Sequence, residues 1–226
     1  MFINNFYADC ARVYKSTQGN RVLKAVKLLF VPSLHITFVY RLGHSFSKVW
    51  PPFNWLLMIL YFPMQVIVKI LYNTSIPAKT SIGPGFIILH PGAIYVHPQV
   101  VIEANVTINS QVIIGAIRLG DTRYPVICND CSIGCGAKVL GPVRVNHHTA
   151  VGANAVVLSD TPSFSVVGGI PAKVLKVTRQ RSRGNRGGSG SSGNREGGSG
   201  NRRPRRREDQ SNVRIHSDRR KGIIHV

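Results

Sequence analysis

Residues 76–112 read IPAKTSIGPGFIILHPGAIYVHPQVVIEANVTINSQV, and every sixth position is a β-branched aliphatic: Ile76, Ile82, Ile88, Ile94, Val100, Val106 and Val112. The pattern resumes at Ile127, Ile133, Val139, Val145, Val151 and Val157. An α-helix turns every 3.6 residues and would carry such a repeat off any buried face. A period this short predicts a parallel β-helix, in which each hexad forms one side of a coil and stacked coils bury a column of side chains. Three sides make a coil of eighteen residues. Four positions after the aliphatic stand mostly small residues, among them Thr80, Gly92, Ala104, Ser110, Cys131, Ala137, Thr149 and Ala155, which are expected to let the chain turn its corners. Phe86, Pro98 and Val143 break that rule.

Val112 and Ile127 are fifteen apart, not a multiple of six, so GAIRLGDTRYP (115–125) must leave the coil as a loop. GGIPAK (168–173) ends the repeat. Three parts follow: an α-helical region over 1–74, the β-helix over 75–178, and a tail over 179–226. In the first, Val22, Val26, Leu29 and Phe30, then Phe38, Leu42 and Phe46, recur at helical spacing, punctuated by Pro32 and Pro51-Pro52. The apolar stretch 51–72 has Pro63 and Gln65 at its centre and Lys69 near its end. It is expected to form two helical pieces that pack on each other, on a neighbouring subunit or shallowly on a membrane.

From Arg179 the chain is a mixture of Gly, Ser, Asn and Arg with no apolar residue until Val213, a composition expected to be disordered. The tail holds fourteen basic and four acidic residues, half of the net +20. Such a segment attracts polyanions, but it lacks aromatic residues to stack bases. The first thirty residues do not read as a signal peptide, and the four cysteines do not suggest a disulfide scaffold, so a cytoplasmic setting, with contact at the inner face of the membrane, is expected. Cys128, Cys131 and Cys135 resemble a metal cluster by spacing alone. In a coil of eighteen they fall at different places, and neither His147 nor His148 lies eighteen from any of them, so no metal site is expected.

His90 is the first candidate for chemistry. It holds the third place of its hexad, before a Pro-Gly pair, and an imidazole can take a proton from an acceptor hydroxyl. His97 shares that chemistry in a weaker context. The loop adds Asp121, Arg123 and Tyr124, a polar cluster able to fold over a substrate. Cys135, Ala153 and Pro171 are eighteen apart and are expected to stack as a smooth column, fit for a long thin ligand such as the pantetheine arm of coenzyme A, with Lys173 near its end for a phosphate.

Several segments together resemble the serine acetyltransferases, within the left-handed β-helix, hexapeptide-repeat acyltransferases. They are YRLGH (40–44), IGPG and LHPGAIYV (82–96), GDTRYP (120–125), IGCGAKVLG (133–141), VGANAVV (151–157) and GGIPAKV (168–174). The left hand of the coil comes from this resemblance, not from the periodicity. The resemblance implies acetyl-CoA as co-substrate, and because a single coil column exposes its sides and the helical region cannot form a large core alone, a homotrimer or dimer of trimers is expected. It makes His90 the general base, sets Gly115 and Ala116 at the oxyanion, lines the coenzyme A groove with Cys135 and Ala153, and gives Arg123 to the serine carboxylate. The family aspartate that orients the histidine falls at Ser75, the acid before that histidine is Leu89, and the loop histidine is Tyr124. Asp9 is then the one acid left in the helical region for a substrate ammonium. The readings that stay open are a serine O-acetyltransferase, an O-acetyltransferase for a sugar in exopolysaccharide or capsule synthesis, and a non-catalytic trimer whose basic tail binds a polyanion.

Overall fold

The computed structural model of the chain describes residues 2–50, 53–118 and 120–178. The expected disorder of the tail, and a polyanion contact through it, lie outside these residues. Four helices, α1 (Phe2–Ser16), α2 (Arg21–Leu29), α3 (Pro32–Phe46) and α4 (Phe53–Tyr72), precede a three-sided coil of short parallel strands. The first side stacks β1 (Thr74–Ser75), β4 (Ile94–Val96), β7 (Ile113–Gly115), β10 (Lys138–Leu140) and β13 (Val156–Val157). The second stacks β2 (Ser81–Ile82), β5 (Val101–Ile102), β8 (Val126–Ile127) and β11 (Arg144–Val145). The third stacks β3 (Ile87–Ile88), β6 (Thr107–Ile108), β9 (Ser132–Ile133), β12 (Ala150–Val151) and β14 (Ser165–Gly168), and closes with β15 (Lys173–Val177) running antiparallel to β14.

The strand register corrects the uniform coil of eighteen. Ser81 faces Val101 and Ile87 faces Thr107, twenty residues on, whereas Tyr95 faces Ile113 at eighteen. Two residues have therefore been inserted between Ile88 and Ile94. The inward residues of the first side are Ile76, Val96, Ile114, Val139 and Val157, so Val100, Val106 and Val112 belong to a second buried column, at the corners. Both columns are aliphatic, which is why the six-residue pattern runs through the insertion unbroken. Thr80, Phe86, Cys131, Ala137, Val143, Thr149 and Ala155 fill the same corner column from inside, and burial pushes the Cys131 thiol up to about 11. The turning itself falls one residue earlier, to Gly85, Asn105, Gln111, Asp130, Gly136, His148 and Asn154, all with positive φ. None of these is β-branched, as the left-handed region requires.

The helical region caps the open end of the coil. A first coil has no preceding rung, so its backbone groups would be left bare. Arg41 donates from Nη1 to the carbonyl of Ile82 and from Nη2 to that of Gly83, each at 2.6 Å. It also holds Asp9 through Nε at 3.0 Å and Nη2 at 3.2 Å, and Asp9 accepts the amide of Phe86 at 2.8 Å. Tyr40 donates to the Thr80 carbonyl and accepts from the Ile82 amide, Ser33 accepts from the Ile88 amide, and Arg12 donates to the carbonyls of Gly85 and Val106. Next to Arg41, Gly43 is where the Tyr61 ring of α4 crosses α3, and a Cβ there would collide with that ring.

Two helical expectations change. Residues 53–72 form one helix that runs through Pro63 rather than two pieces. α2 buries none of its residues, so Val22, Val26, Leu29 and Phe30 face outward. Asp9 is also corrected: at 0% exposure, bound to Arg41 and Phe86, its carboxylate is committed to the cap and not to a substrate. Burial pushes that carboxyl up, against the pull of Arg41. Asp9→Ala should cost about 3–5 kcal/mol of stability, because it leaves the Arg41 charge buried and unpaired. Urea unfolding measures it, and a loss below about 1 kcal/mol would show that the pair is dispensable.

Candidate functional site

The two residues inserted into the first full coil are His90 and Pro91. In later coils the amide of the positive-φ residue donates to the third-place carbonyl of the coil before: Gly136 to Ser110, and Asn154 to Cys135. In the first full coil Gln111 donates to Gly92 at 2.7 Å. Gly92 therefore holds the third place expected of His90, and His90 with Pro91 stands out from the corner as an added pair. The His90 side chain is exposed.

Below that pair runs a column of small residues. Ser110 pairs in register above Cys135, twenty-five residues on because of the loop, and its Oγ lies 3.1 Å from the Cys135 Sγ. Cys135 stands over Ala153, and Ala153 over Gly169. Pro171, expected as the third member, is displaced because the last step is sixteen residues rather than eighteen. A parallel row of Gly134, Gly152 and Gly168 lies beside the column, and a Cβ at Gly134 would come within 2.7 Å of the Ala153 backbone nitrogen. Lys173, exposed at the start of β15, pairs with Gly168 at the end of this strip. The sequence reading missed Ser110 and Gly169, since a count of eighteen steps over both. The seven extra residues of the loop, added to eighteen, would have found Ser110.

Gly115, Ala116, Arg123 and Tyr124 gather elsewhere, where the first side passes to the second. His97, at the end of β4, lies beside Gly115 and stacks on the Tyr124 ring at 4.3 Å. The Tyr124 hydroxyl donates to the Asp121 carbonyl at 2.5 Å, and Asp121 Oδ2 accepts from the Arg118 amide at 2.9 Å. The loop is thus closed on itself and clamped to the coil, with Arg123 exposed. The first side of the coil separates this corner from the one that holds His90. Ser75 lies at the start of that side, in β1, opposite Tyr95.

A third group arises where eighteen-residue stacking predicts none. Glu103, Cys128 and His147 bring ligand atoms within 4.8 Å of one another. Arg144 Nη2 lies 3.6 Å from Glu103 and the Asn129 amide donates to the same carboxylate, so positive charge already sits where a cation would. Burial, before the neighbouring charges, pushes the Cys128 thiol up. We assign no metal there.

No family model matches the chain. The serine acetyltransferase of Bacillus pumilus (strain SAFR-032) is 30% identical over 179 residues, 77% of this chain and 78% of the relative. That of Buchnera aphidicola subsp. Schizaphis graminum is 31% identical over 178 residues, 77% of this chain and 65% of the relative. For Escherichia coli (strain K12) the figures are 32% over 149 residues, 66% and 52%. The chain thus spans between half and two thirds of the length of these last two relatives. Among solved structures, serine acetyltransferase from Brucella abortus strain S19 in complex with coenzyme A superimposes with a TM-score of 0.68 at 25% identity, over 78% of this chain and 68% of the other. A serine acetyltransferase in complex with cysteine gives 0.67 at 26% identity, over 77% of this chain and 70% of the other. The fold is accordingly the left-handed hexapeptide-repeat coil with a helical N-terminal region.

The clamp predicts a local effect. Tyr124→Ala should free the loop and speed tryptic cleavage at Arg118 and Arg123 by about tenfold or more, in proportion to the population of its open form. Unchanged cleavage at both sites in timed digests would show that the His97 stack does not hold the loop.

Proposed function

The chain belongs to the serine acetyltransferase family, and from that footing we propose that it transfers the acetyl group of acetyl-CoA to a hydroxyl, with L-serine as acceptor. His90 takes the hydroxyl proton as the oxygen attacks the thioester carbonyl, and the coenzyme A thiolate leaves and recovers a proton. One observation carries the reading: the inserted His90–Pro91 pair stands at the head of the small-residue strip Gly92, Ser110, Cys135, Ala153 and Gly169. Four coil steps at the usual strand spacing make that strip roughly 19 Å long. Such a strip suits an extended pantetheine arm along Cys135 and Ala153, with Lys173 at the far end for a phosphate. The relatives solved with coenzyme A support the same co-substrate.

Gly115 and Ala116, for the oxyanion, and Arg123 and Tyr124, for the acceptor, belong to the other corner of the first side. A homotrimer would complete the site by setting that corner of one protomer against the His90 corner of the next. His90→Ala should lower turnover two to four orders of magnitude while coenzyme A affinity stays nearly unchanged, as free-thiol release and equilibrium binding would read. Arg123→Ala should weaken serine by about 1.5–3 kcal/mol. Co-expressing the two variants should restore about a quarter of the wild-type sites by random assortment, because a shared site needs one intact residue from each neighbour. No recovery on mixing would place both residues in one chain's site.

A second reading, transfer to a neutral sugar hydroxyl, is favoured by the loss of acids around the acceptor. Asp9 is spent on the cap, and Ser75 and Leu89 offer nothing to an ammonium group. Serine activity is therefore expected to be weak and to rise in Ser75→Asp, where a carboxylate would orient His90 and stabilise its imidazolium. Thiol release with a sugar acceptor, and none with serine in either protein, would assign the enzyme to sugars.

A further inference from the structure

We propose that α2 and α4 form a docking surface for an anionic lipid bilayer, with α4 lying in the plane of the membrane. α4 is long and apolar enough to cross a bilayer. It buries only a narrow stripe through Tyr61 and Val68 against α3. Around the rest of its circumference Trp55, Leu56, Ile59, Leu60, Phe62 and Ile70 are all more than 60% exposed. A helix apolar on nearly every face is stable in a core or in lipid, and this one is not in the core.

The geometry excludes a crossing. Near its C-terminal end Tyr72 is hydrogen-bonded to His35, early in α3, and nearer its middle Tyr61 lies against Gly43, late in α3. The two helices are therefore antiparallel along their length, and α3 is fixed to the coil through Tyr40 and Arg41. A helix held in this way cannot leave its neighbour to span the hydrocarbon. It can lie at the interface with its outer face in the acyl boundary.

α2 extends the surface. His35 also bonds the Leu29 carbonyl at 2.6 Å, which sets the end of α2 beside the end of α4. Val22, Leu29 and Phe30 are exposed there, interleaved with Arg21, Lys24 and Lys27, the pattern of a basic amphipathic helix. Residues 2–72 carry eight basic residues and one acid; Asp9 and Arg41 neutralise each other in the cap and Arg12 is bound to coil carbonyls, which leaves six, three of them on α2. A second copy meeting this surface would bring like charge to like, whereas an anionic leaflet supplies the opposite sign.

The test uses the full chain and its two tryptophans, Trp55 on α4, 72% exposed, and Trp50 in the segment before it, 79% exposed. The probes are phosphatidylcholine vesicles with and without phosphatidylglycerol, and the same vesicles with brominated acyl chains. Partition into the phosphatidylglycerol vesicles should be at least tenfold stronger than into pure phosphatidylcholine, with tryptophan emission quenched by the brominated lipid. Ile59→Glu with Phe62→Glu should lose at least tenfold in partition and the quenching, with circular dichroism and urea midpoint as checks on folding. Because the basic tail is present in both proteins, equal binding by the double variant would assign the attraction to the tail and overturn the proposal. Absence of quenching would overturn it as well, as would a concentration-dependent oligomer that hides both tryptophans and leaves vesicles untouched.

Discussion

The Asp9–Arg41 pair is the contact on which the rest of the structure rests. A parallel coil propagates by hydrogen bonds from each rung to the next, and its first rung has nothing to receive. Arg41 supplies donors for the carbonyls of Ile82 and Gly83, and Asp9 supplies an acceptor for the Phe86 amide. Each also neutralises the other, at 2% and 0% exposure. A charged cap gives what apolar packing does not, namely groups that satisfy a bare strand edge. It also closes that edge to pairing with another chain. The YRLGH segment is thus a structural motif here: Tyr40, Arg41 and His44 each bond a carbonyl of the first coil, and Gly43 lets α4 approach.

Much of the coil was legible because aliphatic columns must recur wherever rungs stack. The insertion was not, and the reason is geometric. Side chains at the strand centre and at the corner two residues before it both point inward, so Ile94 and Val96, or Val100 and Ile102, are equally acceptable members of a six-residue series. A pattern written in one class of residue cannot report a shift of two when both phases are buried. The hydrogen bond from Gln111 to Gly92 decides it, and turns His90 from one place in a repeat into a residue lifted out of the repeat. Counting by eighteen carries Gly92 to Ser110 but hid the step of twenty-five from Ser110 to Cys135, and hid the meeting of Glu103, Cys128 and His147.

Site residues were legible as types and not as an arrangement. The candidate base, the small-residue groove and the loop with Arg123 are all present, but they lie on two corners of the coil instead of one. That division follows from the topology. A loop leaving after β7 emerges at the end of the first side, while the insertion precedes β4 at that side's beginning, and a rigid rung lies between them. On the proposed reading a neighbouring protomer would join the halves, and activity would then depend on assembly.

The buried face of α3 mixes polar with apolar residues. Because the coil's end presents bare backbone, the face of α3 that meets it carries Ser33, Tyr40, Arg41 and His44. Leu34, Ile36 and Val39 are buried beside them, while Phe38 turns to α1, where it meets Phe2 and Phe6 edge-on. Helical periodicity in Phe38, Leu42 and Phe46 predicts the helix, and of the three Phe46 packs against the core while Phe38 meets α1. Farther out, α4 covers α3 with one stripe and, among the described residues, has no further layer over the remainder. The outer face of α4 is apolar on a basic helical region, and the proposed bilayer surface would cover it with lipid of the opposite charge.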